Sequence, residues 1–412
     1  MKSKSIRLSG DKSISHRALM ISSISKGDSQ ITNLCDSRDV QSTIECLRLC
    51  GAIIEKSANK YIVRSSSLSN PQKSLNCGNS GTTIRLLMGL LSGQGIEAEL
   101  YGDDSLMSRP MDRVINPLNH MGADISYGNK KIYIKKGNVK GGIVKNRTSS
   151  AQVKSSIIFA ALGGNKKTVL QEYYHTRDHT ERMLSYFSRD SVYVKGHSIE
   201  IKPGLLTGRN INVAGDISKA SFLIAFGCLL EGADLIIKSC LINSSRMGFL
   251  NTLKKMGADI KVYDKKLKYG ELIADIRVKY SPQLKNIRIS PQNVRDMIDE
   301  IPILSVVSVF SKGIMSVSGI SELKIKESNR VLAIISNLRA MGCDARESGD
   351  SILIKGLKIL YGTNIKTFSD HRIAMAFHIA GLFAKRKQVL DDLRCIDISF
   401  PSFFDKISEV GA

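Results

Sequence analysis

The stretch Leu253-Lys-Lys-Met-Gly-Ala-Asp-Ile260 has the pattern of a helix end, a glycine and the first residues of a strand. Three counterparts follow the same pattern, namely LRLCGAII at 47–54, LNHMGADI at 118–125 and LRAMGCDA at 338–345. Glycine adopts the left-handed backbone that ends many helices without steric strain. Each copy therefore predicts a helix that stops at the glycine and is followed at once by a strand.

A broader pattern surrounds these stretches and recurs six times. An apolar, helix-like segment leads into a small or cationic turn and then into a strand-like segment, about 70 residues from one copy to the next. The turns lie near Gly27, Gly93, Gly163, Gly232, Gly313 and Lys385. Six such units predict an α/β or α+β protein that divides into two lobes of three. The hinge is expected at the Gly-containing turn 212–216, and a cleft between two lobes is a common place for a small-molecule site.

Length and charge narrow the function classes. The chain has 412 residues, of which 42% are apolar, enough for folded cores. Its 60 Lys and Arg residues outnumber 38 Asp and Glu residues, for a formal charge of +22. Such a surplus is typical of nucleic-acid binders and of enzymes with acidic substrates, and it also occurs on Lys-rich surfaces without a specific partner. The sequence has no Trp and no basic tail, which argues against stacking platforms for nucleic-acid bases.

No segment has the composition of a membrane anchor. The longest apolar run, at 220–230, spans about 11 residues, whereas a membrane helix needs about 18. The first residues are charged but no hydrophobic segment follows them, so we expect a cytoplasmic protein without a secretory signal. The eight cysteines include no CxxC pair, and we expect reduced thiols rather than disulfides or a metal site.

Two small-residue turns precede helix-like segments and have the composition of anion sites. In LSGDKSISHR (8–17), Ser13 and free backbone N–H groups lie near Lys12 and Arg17. NCGNSGTTIR (76–85) offers a similar close approach of the backbone around Gly81. An ordinary helix cap with a solvated lysine explains the first turn equally well, and a plain Gly/Asn turn explains the second.

Other cations stand next to polar and acidic residues. They are Arg109 in GDDSLMSRPMDRV, Lys326 and Arg330 in IKESNR, and His371 and Arg372 in SDHR. Arginine binds carboxylate and phosphate through a planar fork, and neighbouring carboxylates such as Asp299, Glu327 and Asp370 suit acid–base work. Each of these residues alone also fits a salt bridge at the surface or between domains.

Taken together, the motifs carry a resemblance. In chain order they are LSGDKSISHRAL, GNSGTTIRLL, GDDSLMSRPMDRV, SSAQVKS, TRDHTERM, IDEIP, IKESNR and SDHRIAMA. Across essentially the whole chain they resemble the enolpyruvyl shikimate phosphate synthases, in particular the bacterial branch with GDKSISHR and SAQVKS. The resemblance implies two lobes, each of three ββαβαβ-type repeats with their helices inside (an inverse α/β barrel), and a site in the interdomain cleft. It also implies that residues 12–213 form one lobe, while 1–11 and 214–412 form the other.

The resemblance implies an enzyme of the shikimate pathway to chorismate and the aromatic amino acids. The family transfers the enolpyruvyl group of phosphoenolpyruvate to the 5-hydroxyl of shikimate 3-phosphate and releases phosphate, through a tetrahedral addition–elimination intermediate. These two small molecules are the expected partners, with no cofactor, no metal, no nucleic acid and no membrane. The family's habit is a monomer, and the split of cationic motifs between the lobes predicts that shikimate 3-phosphate closes them.

The site residues are carried over by motif. The expected catalytic residues are Asp299 as base at the 5-hydroxyl, Glu327 with Lys12 for the carbon proton, and His371 as an orienting group. The expected ligands of shikimate 3-phosphate are Lys12, Ser13, Arg17, Ser150, Gln152, Thr176, Asp299 and Lys326. Those of phosphoenolpyruvate are Lys12, Gly81, Arg109, Gln152, Arg330 and Arg372.

Three positions depart from the family pattern. Asn329 replaces the Asp of KESDR, which predicts a weaker ion pair orienting Arg330. Thr176 replaces serine and keeps the hydroxyl. Ile398 stands where some members have a C-terminal lysine at phosphoenolpyruvate, so that contact is absent or supplied elsewhere. Gly81 leaves room that an alanine would fill, so inhibitor sensitivity at the phosphoenolpyruvate site is a hypothesis.

Three alternatives stay open at this point. The sister enolpyruvyl transferase of UDP-amino sugars has the same six-unit fold, but it carries a reactive cysteine where residues 103–109 have none. An RNA-binding or RNA-end-processing protein is favoured by the charge alone. An inactive homologue is opposed by the intact set of cations and carboxylates.

Overall fold

The computed structural model describes residues 3–357 and 359–411. The strands are β1 (Lys4–Arg7), β2 (Ser25–Lys26), β3 (Ser29–Thr32), β4 (Ile53–Ser57), β5 (Lys60–Arg64), β6 (Leu75–Asn76), β7 (Ala98–Tyr101), β8 (Asp124–Gly128), β9 (Lys131–Lys135), β10 (Gly142–Asn146), β11 (Thr168–Glu172), β12 (Val192–Lys195), β13 (Ser198–Ile201), β14 (Leu206–Thr207), β15 (Ile211–Asn212), β16 (Asp234–Leu241), β17 (Ile260–Lys268), β18 (Glu271–Lys279), β19 (Arg288–Ile289), β20 (Ile314–Ser318), β21 (Ala345–Ser348), β22 (Ser351–Lys355), β23 (Asn364–Ile365) and β24 (Val389–Leu390).

The α-helices are α1 (Lys12–Ser23), α2 (Arg38–Leu49), α3 (Gly81–Gly93), α4 (Asp104–Met107), α5 (Asp112–His120), α6 (Ala151–Leu162), α7 (His179–Phe187), α8 (Ile217–Leu229), α9 (Gly248–Lys255), α10 (Pro291–Arg295), α11 (Ile301–Val309), α12 (Arg330–Ala340), α13 (His371–Leu382) and α14 (Phe403–Gly411). Short 3-10 helices lie at Ser244–Arg246, Ile298–Glu300, Ser321–Leu323 and Arg394–Ile398. Within the described ranges, no helix combines the length and the apolar character needed to cross a bilayer.

The chain divides into two compact units. The first unit contains Gly10–Val213 together with Leu267–Glu271. The second contains the described residues of Met1–Ser9, Ala214–Lys266 and Leu272–Ala412. Two places differ from the expected lobes of 12–213 and of 1–11 with 214–412. Gly10 and Asp11 lie in the first unit, and so does the tip of the β17–β18 hairpin, which no sequence pattern separated from its strands.

The hairpin tip has specific contacts within the first unit. The His179 imidazole Nδ1 lies 2.7 Å from Glu271 Oε1, and the Tyr269 and Tyr186 rings meet edge to face with centroids 5.9 Å apart. A Cβ on Gly270 would lie 2.6 Å from the carbonyl oxygen of Arg182, so the backbone of the tip packs directly on α7. These contacts explain why the tip groups with α7 rather than with its own strands.

One repeat topology accounts for most of the chain. In the second repeat, β6 pairs in parallel with β7, β7 pairs antiparallel with β9, and β9 pairs antiparallel with β8, with α3 and α5 in the connections. Four other four-stranded sheets share this order, namely β15-β3-β5-β4, β10-β11-β13-β12, β1-β16-β18-β17 and β19-β20-β22-β21. The sixth repeat differs: its described residues form the two-stranded ladder of β23 with β24, followed by a 3-10 helix and α14.

The predicted helix–strand turns are confirmed. The helices α2, α5, α9 and α12 each end two residues before a glycine with positive φ, and a strand follows within a few residues. The four glycines are Gly51 (φ 90°), Gly122 (φ 95°), Gly257 (φ 102°) and Gly342 (φ 90°). All six broader turns likewise follow an apolar helix, which is α1, α3, α6, α8, α11 or α13.

These six helices form the interiors of the two units. Almost all their residues are buried, and α3 packs against α1 and α6, while α11 packs against α8 and α13. The α3–α6 contact is especially close, because a Cβ on Gly89 would lie 2.0 Å from the carbonyl oxygen of Ser156. The sheets lie outside them, and in β9 and β22 buried residues alternate with half-buried or exposed ones. Helices inside and sheets outside are the arrangement that the resemblance implied.

The strands that precede α1 and α8 are exchanged between the units. β1 precedes α1 in the chain but pairs in parallel with β16, which follows α8. β15 precedes α8 but pairs in parallel with β3, which follows α1. The chain therefore passes from the second unit to the first near residue 10 and returns near residue 213.

Candidate active site

The start of α1 carries three predicted ligands. Asp11 caps the helix by accepting a hydrogen bond from the backbone N–H of Ile14 at 2.9 Å, which places Lys12 and Ser13 in the first turn. Lys12 Nζ lies 2.7 Å from the Asp39 carboxylate, so this cation is held by α2. A helix N-terminus with an adjacent ammonium group favours a bound anion.

Arg17 is buried one turn further along the same helix. Its Nε donates to Thr180 Oγ1 at 2.7 Å, its Nη2 to Ser155 Oγ at 2.7 Å, and its Nη1 to the Ser13 carbonyl at 2.9 Å. Burial lowers the pKa of Arg17 to about 10, although Glu181 and Asp11 oppose that shift, so the group stays charged at neutral pH. These bonds tie α1 to α6 and α7 and fix the direction of the guanidinium.

A second cluster gathers around the start of α3. Ser80 caps this helix through the N–H of Thr83, and a Cβ on Gly81 would lie 2.9 Å from Arg85 Nη1 and 3.5 Å from Arg109 Nη1. Arg109 donates to the Asn79 side chain at 2.6 Å, which fixes it beside the loop. The structure thus brings Gly81 and Arg109 together.

Arg85 is the residue of this cluster that sequence reasoning missed. Its Nη1 donates to Gln152 Oε1 at 2.6 Å, and Gln152 Nε2 donates to Thr82 Oγ1 at 3.0 Å. Gln152 therefore joins the group from α6. The signal for Arg85 was its place four residues after Gly81, on the same face of a helix start.

Ser150 lies at a third helix start, that of α6, and Thr176 lies in the loop between β11 and α7. Ser150 caps α6 through the N–H of Val153 at 3.4 Å. The Thr176 hydroxyl donates to Glu172 at 3.0 Å, and its carbonyl accepts from the buried ammonium of Lys154 at 3.2 Å. Because Lys154 also pairs with Glu172 and Glu181, at 3.2 Å and 2.8 Å, it holds the Thr176 loop to α6 and α7. Burial raises the pKa of Glu172 against the opposing pull of Lys154.

In the second unit, Arg330 forms hydrogen bonds with three carboxylates that the sequence analysis singled out. It is fully buried at the start of α12. Its Nε donates to Asp370 at 2.9 Å, its Nη1 to Asp299 at 3.4 Å, and its Nη2 to Glu327. Burial lowers the pKa of Arg330, but Asp370, Glu327 and Asp299 more than offset this, so the pKa lies above its ordinary value.

Arg372 and His371 join this group from α13. Asp370 caps the helix by accepting from the N–H of Arg372 at 2.9 Å. Arg372 Nη1 donates to the carbonyl of Asp299 at 3.2 Å, and its Nε lies 4.0 Å from the Asp299 carboxylate. Ligand atoms of Glu327, Asp370 and His371 lie within 4.8 Å of one another, as in a metal site. The guanidinium of Arg330 already bonds both carboxylates, so a metal ion would have to displace that cation.

The departures from the family pattern now have structural descriptions. Asn329 caps α12 by accepting from the N–H of Leu332 at 3.1 Å, while Arg330 is held by three carboxylates from other positions. Residue 329 thus bonds the helix and not the guanidinium, and the effect of Asn329 on the ion pair that orients Arg330 stays a prediction. Lys326 is half-buried, and burial lowers its pKa against the opposing charge of Asp299. Ile398 ends a 3-10 helix.

Known proteins match the chain over nearly its full length. A family model described as EPSP synthase (3-phosphoshikimate 1-carboxyvinyltransferase) matches residues 2–407. The 3-phosphoshikimate 1-carboxyvinyltransferase of Thermoanaerobacter sp. (strain X514) is 42% identical over 405 residues, covering 97% of this chain and 95% of the relative. That of Alkaliphilus metalliredigens is 40% identical over 408 residues, covering 97% and 96%.

A solved structure agrees in fold. The EPSP synthase from Acinetobacter baumannii superposes with a TM-score of 0.88 at 35% identity, covering 99% of this chain and 96% of that one. The two-lobe α/β fold and the resemblance found in the motifs are both confirmed by these matches. The chain belongs to the EPSP synthase (3-phosphoshikimate 1-carboxyvinyltransferase) family.

Proposed function

We propose that this enzyme transfers the enolpyruvyl group of phosphoenolpyruvate to the 5-hydroxyl of shikimate 3-phosphate and releases phosphate. The observation that carries the proposal is the group around Arg330, where one buried guanidinium bonds Asp299, Glu327 and Asp370. The reaction needs carboxylates that move protons beside cations that hold anions, and this group supplies both.

As the motif resemblance implies, we place the enzyme in the cytoplasm as a monomer. Light scattering of the purified chain tests whether it is a monomer.

Anion binding is assigned by position. Lys12, Ser13, Arg17, Ser150, Gln152, Thr176, Asp299 and Lys326 hold shikimate 3-phosphate, and Lys12, Gly81, Arg109, Gln152, Arg330 and Arg372 hold phosphoenolpyruvate. The starts of α1, α3 and α6 support this assignment, because each lies next to a cation fixed by hydrogen bonds: Arg17 at α1, Arg85 and Arg109 at α3, and Lys154 at α6. To this set we add Arg85, which shares the start of α3 with Gly81.

The addition step moves one proton in each direction. The 5-hydroxyl oxygen attacks the phosphate-bearing carbon of phosphoenolpyruvate and passes its proton to Asp299. A proton handled by Glu327 and Lys12 adds to the methylene carbon, which becomes a methyl group. The attacked carbon is then tetrahedral and carries the new ether, the carboxylate and the phosphate.

The elimination step reverses the carbon protonation. A proton leaves the methyl group, the carbon–carbon double bond re-forms, and the bond to the phosphate oxygen breaks with its electron pair on phosphate. Arg330 and Arg372 stabilise charge that shifts onto this leaving group, and their hydrogen bonds to fixed carboxylates preorganise them for it. His371 orients groups next to the phosphate.

Phosphate release from the purified chain tests the proposal. With both substrates present, we expect release that requires each of them and falls at least a hundredfold in Asp299→Asn. The control is Asp264→Asn, an exposed aspartate of β17 with a positive φ that asparagine also tolerates, and it should keep wild-type rates. No release above a no-enzyme blank from folded protein would refute the function, and release with a UDP-amino sugar instead would point to the sister transferase.

A further inference from the structure

A network of buried charged groups in the second unit has no part in the steps above. It consists of Asp216 and Ser218 at the start of α8, Arg246 from a 3-10 helix, and Glu300 from the turn before α11. None of the four residues is more than 4% exposed. Ionised groups buried to this degree destabilise a protein unless they are paired, so the network must satisfy its own charges.

One hydroxyl connects the two ends of the network. Ser218 Oγ donates to the Glu300 carboxylate and accepts from Arg246 Nη2 at 2.7 Å. Arg246 Nη2 also lies 3.7 Å from Asp216 Oδ1. Glu300 is thereby attached to the start of α8 through a hydroxyl that a cation polarises.

The start of α1 in the first unit and the start of α8 in the second have similar sequences but different groups bound to them. α1 begins with the sequence GDKS at 10–13 and α8 with GDIS at 215–218, and in both the aspartate caps the helix. In the first unit this helix start is the proposed anion site. In the second unit a carboxylate of the chain itself, that of Glu300, bonds the serine equivalent to Ser13. A helix start beside an arginine favours negative charge, which explains why Glu300 is held there.

The contact between Glu300 and Ser218 also affects Asp299, which is the neighbour of Glu300 in the chain. Glu300 directly follows Asp299 in the 3-10 helix Ile298–Glu300. Asp299 meets Arg330 through its carboxylate and Arg372 through its carbonyl, at 3.4 Å and 3.2 Å. The turn is therefore held on one side by the two arginines and on the other by Ser218.

We propose that Glu300 is a positioning residue, which anchors the turn 298–301 to α8 and thereby sets the orientation of Asp299. The inference rests on the proposed role of Asp299 as the base. Glu300 itself touches no reacting atom. A shift of the turn changes the distance from Asp299 to the hydroxyl it deprotonates, and displacements of about 1 Å at such a group lower rates by up to about a hundredfold.

The test compares three substitutions in one purified enzyme. Ser218→Ala removes the bridging hydroxyl, and we expect kcat to fall by about ten- to a hundredfold with both KM values within about twofold of wild type. Glu300→Gln keeps an oxygen that accepts from Ser218, so its loss of kcat should be smaller. The control is Ser221→Ala, a buried serine of the same helix that donates to the Ser218 carbonyl at 2.7 Å, and it should leave kcat unchanged.

Hydrogen exchange separates this inference from the proposed function. In Ser218→Ala, amides of residues 296–301 should exchange at least tenfold faster than in wild type, while Ser221→Ala leaves them unchanged. Unchanged exchange there, or an unchanged kcat in Ser218→Ala, overturns the positioning role. A wild-type enzyme that releases no phosphate refutes the proposed function alone, because the exchange result still decides whether Glu300 anchors the turn.

Discussion

His16 is a buried residue whose protonation makes the stability of the fold depend on pH. The imidazole is inaccessible to solvent, and its Nδ1 lies 2.7 Å from Thr43 Oγ1. Thr43 is linked in turn to Thr83 and, through it, to the Ser80 cap of α3, at 2.7 Å for each contact. Burial lowers the pKa of His16 from 6.5 to about 3, although Asp39 opposes the shift. The ring is therefore neutral in the folded state.

We predict that His16 makes the protein acid-sensitive. Between pH 6.5 and about 3 the unfolded chain binds a proton at this residue and the folded chain does not. The free energy of unfolding therefore falls as the pH falls, by about 1.4 kcal/mol per pH unit from this group. Urea unfolding of wild type and of His16→Asn at pH 7.5 and 5.0 measures this loss. From pH 7.5 to pH 5.0 the free energy of unfolding should fall by about 2 kcal/mol more in wild type than in the variant. An equal difference at both pH values would contradict the prediction.

Gly81 is predicted to control binding of phosphoenolpyruvate. The added methyl group of Gly81→Ala would lie 2.9 Å from Arg85 Nη1, so the arginine must move away from the helix start. We expect the KM for phosphoenolpyruvate to rise by about three- to thirtyfold, a loss of about 0.7–2 kcal/mol of binding. The KM for shikimate 3-phosphate and the melting temperature should change little. Gly128→Ala, where a Cβ meets no atom within 4 Å, is the matched control, and an equal rise there would remove the steric explanation.

At the scale of elements, the contact between α3 and α6 depends on the absence of a side chain. A Cβ on Gly89 would lie 2.0 Å from the Ser156 carbonyl, whereas one on the corresponding Gly227 of α8 has its nearest neighbour, Val278 Cγ1, at 3.4 Å. We predict that Gly89→Ala destabilises the protein by about 3 kcal/mol. Gly227→Ala should stay within about 1 kcal/mol of wild type. Denaturant unfolding of both variants measures the two losses in free energy of unfolding. Similar losses would mean that the close spacing of α3 and α6 does not determine the cost of the added methyl group.

Asn329 is predicted to act through its helix alone. Because its side chain caps α12 and does not bond Arg330, Asn329→Asp should leave kcat within about twofold of wild type. Asn329→Ala should lower the free energy of unfolding by about 1 kcal/mol through the lost cap. Steady-state kinetics and thermal unfolding measure the two effects. A large gain in kcat for Asn329→Asp would restore the view that residue 329 orients Arg330.

Local sequence signals predicted the elements well and the side-chain clusters only in part. The helix ends at Gly51, Gly122, Gly257 and Gly342 were readable because a positive φ after an apolar helix is a property of neighbouring residues. Of the carboxylates around Arg330, Glu327 is a neighbour in the chain, whereas Asp299 and Asp370 lie 31 and 40 positions away, and no local pattern showed that all three meet one guanidinium. Arg85 and Glu300 were missed because their partners, Gln152 and Ser218, lie 67 and 82 positions away in the chain. Such pairings depend on packing that no local pattern encodes.

At the scale of the whole molecule, the charge of +22 predicts a salt dependence of substrate capture. Both substrates are anions, and exposed charges are screened over about 10 Å at 0.1 M salt. We expect kcat/KM for phosphoenolpyruvate to fall several-fold between about 0.02 and 0.3 M salt, with kcat nearly constant. The fall should be alike in NaCl and KCl, which excludes a specific cation effect. A kcat/KM independent of salt would show that the surplus charge is too dispersed to attract substrates.

The exchange of β1 and β15 has a consequence during synthesis on the ribosome. The first unit has β15, and with it a complete sheet, once residue 212 has emerged, but Lys4 in β1 must wait for Leu235 in β16. At about 5–20 residues per second, the amino-terminal strand remains without its partner for roughly 10–50 s. During that time its backbone groups are available to other nascent chains or to chaperones. Strand β1 is thus made well before the strand that protects it.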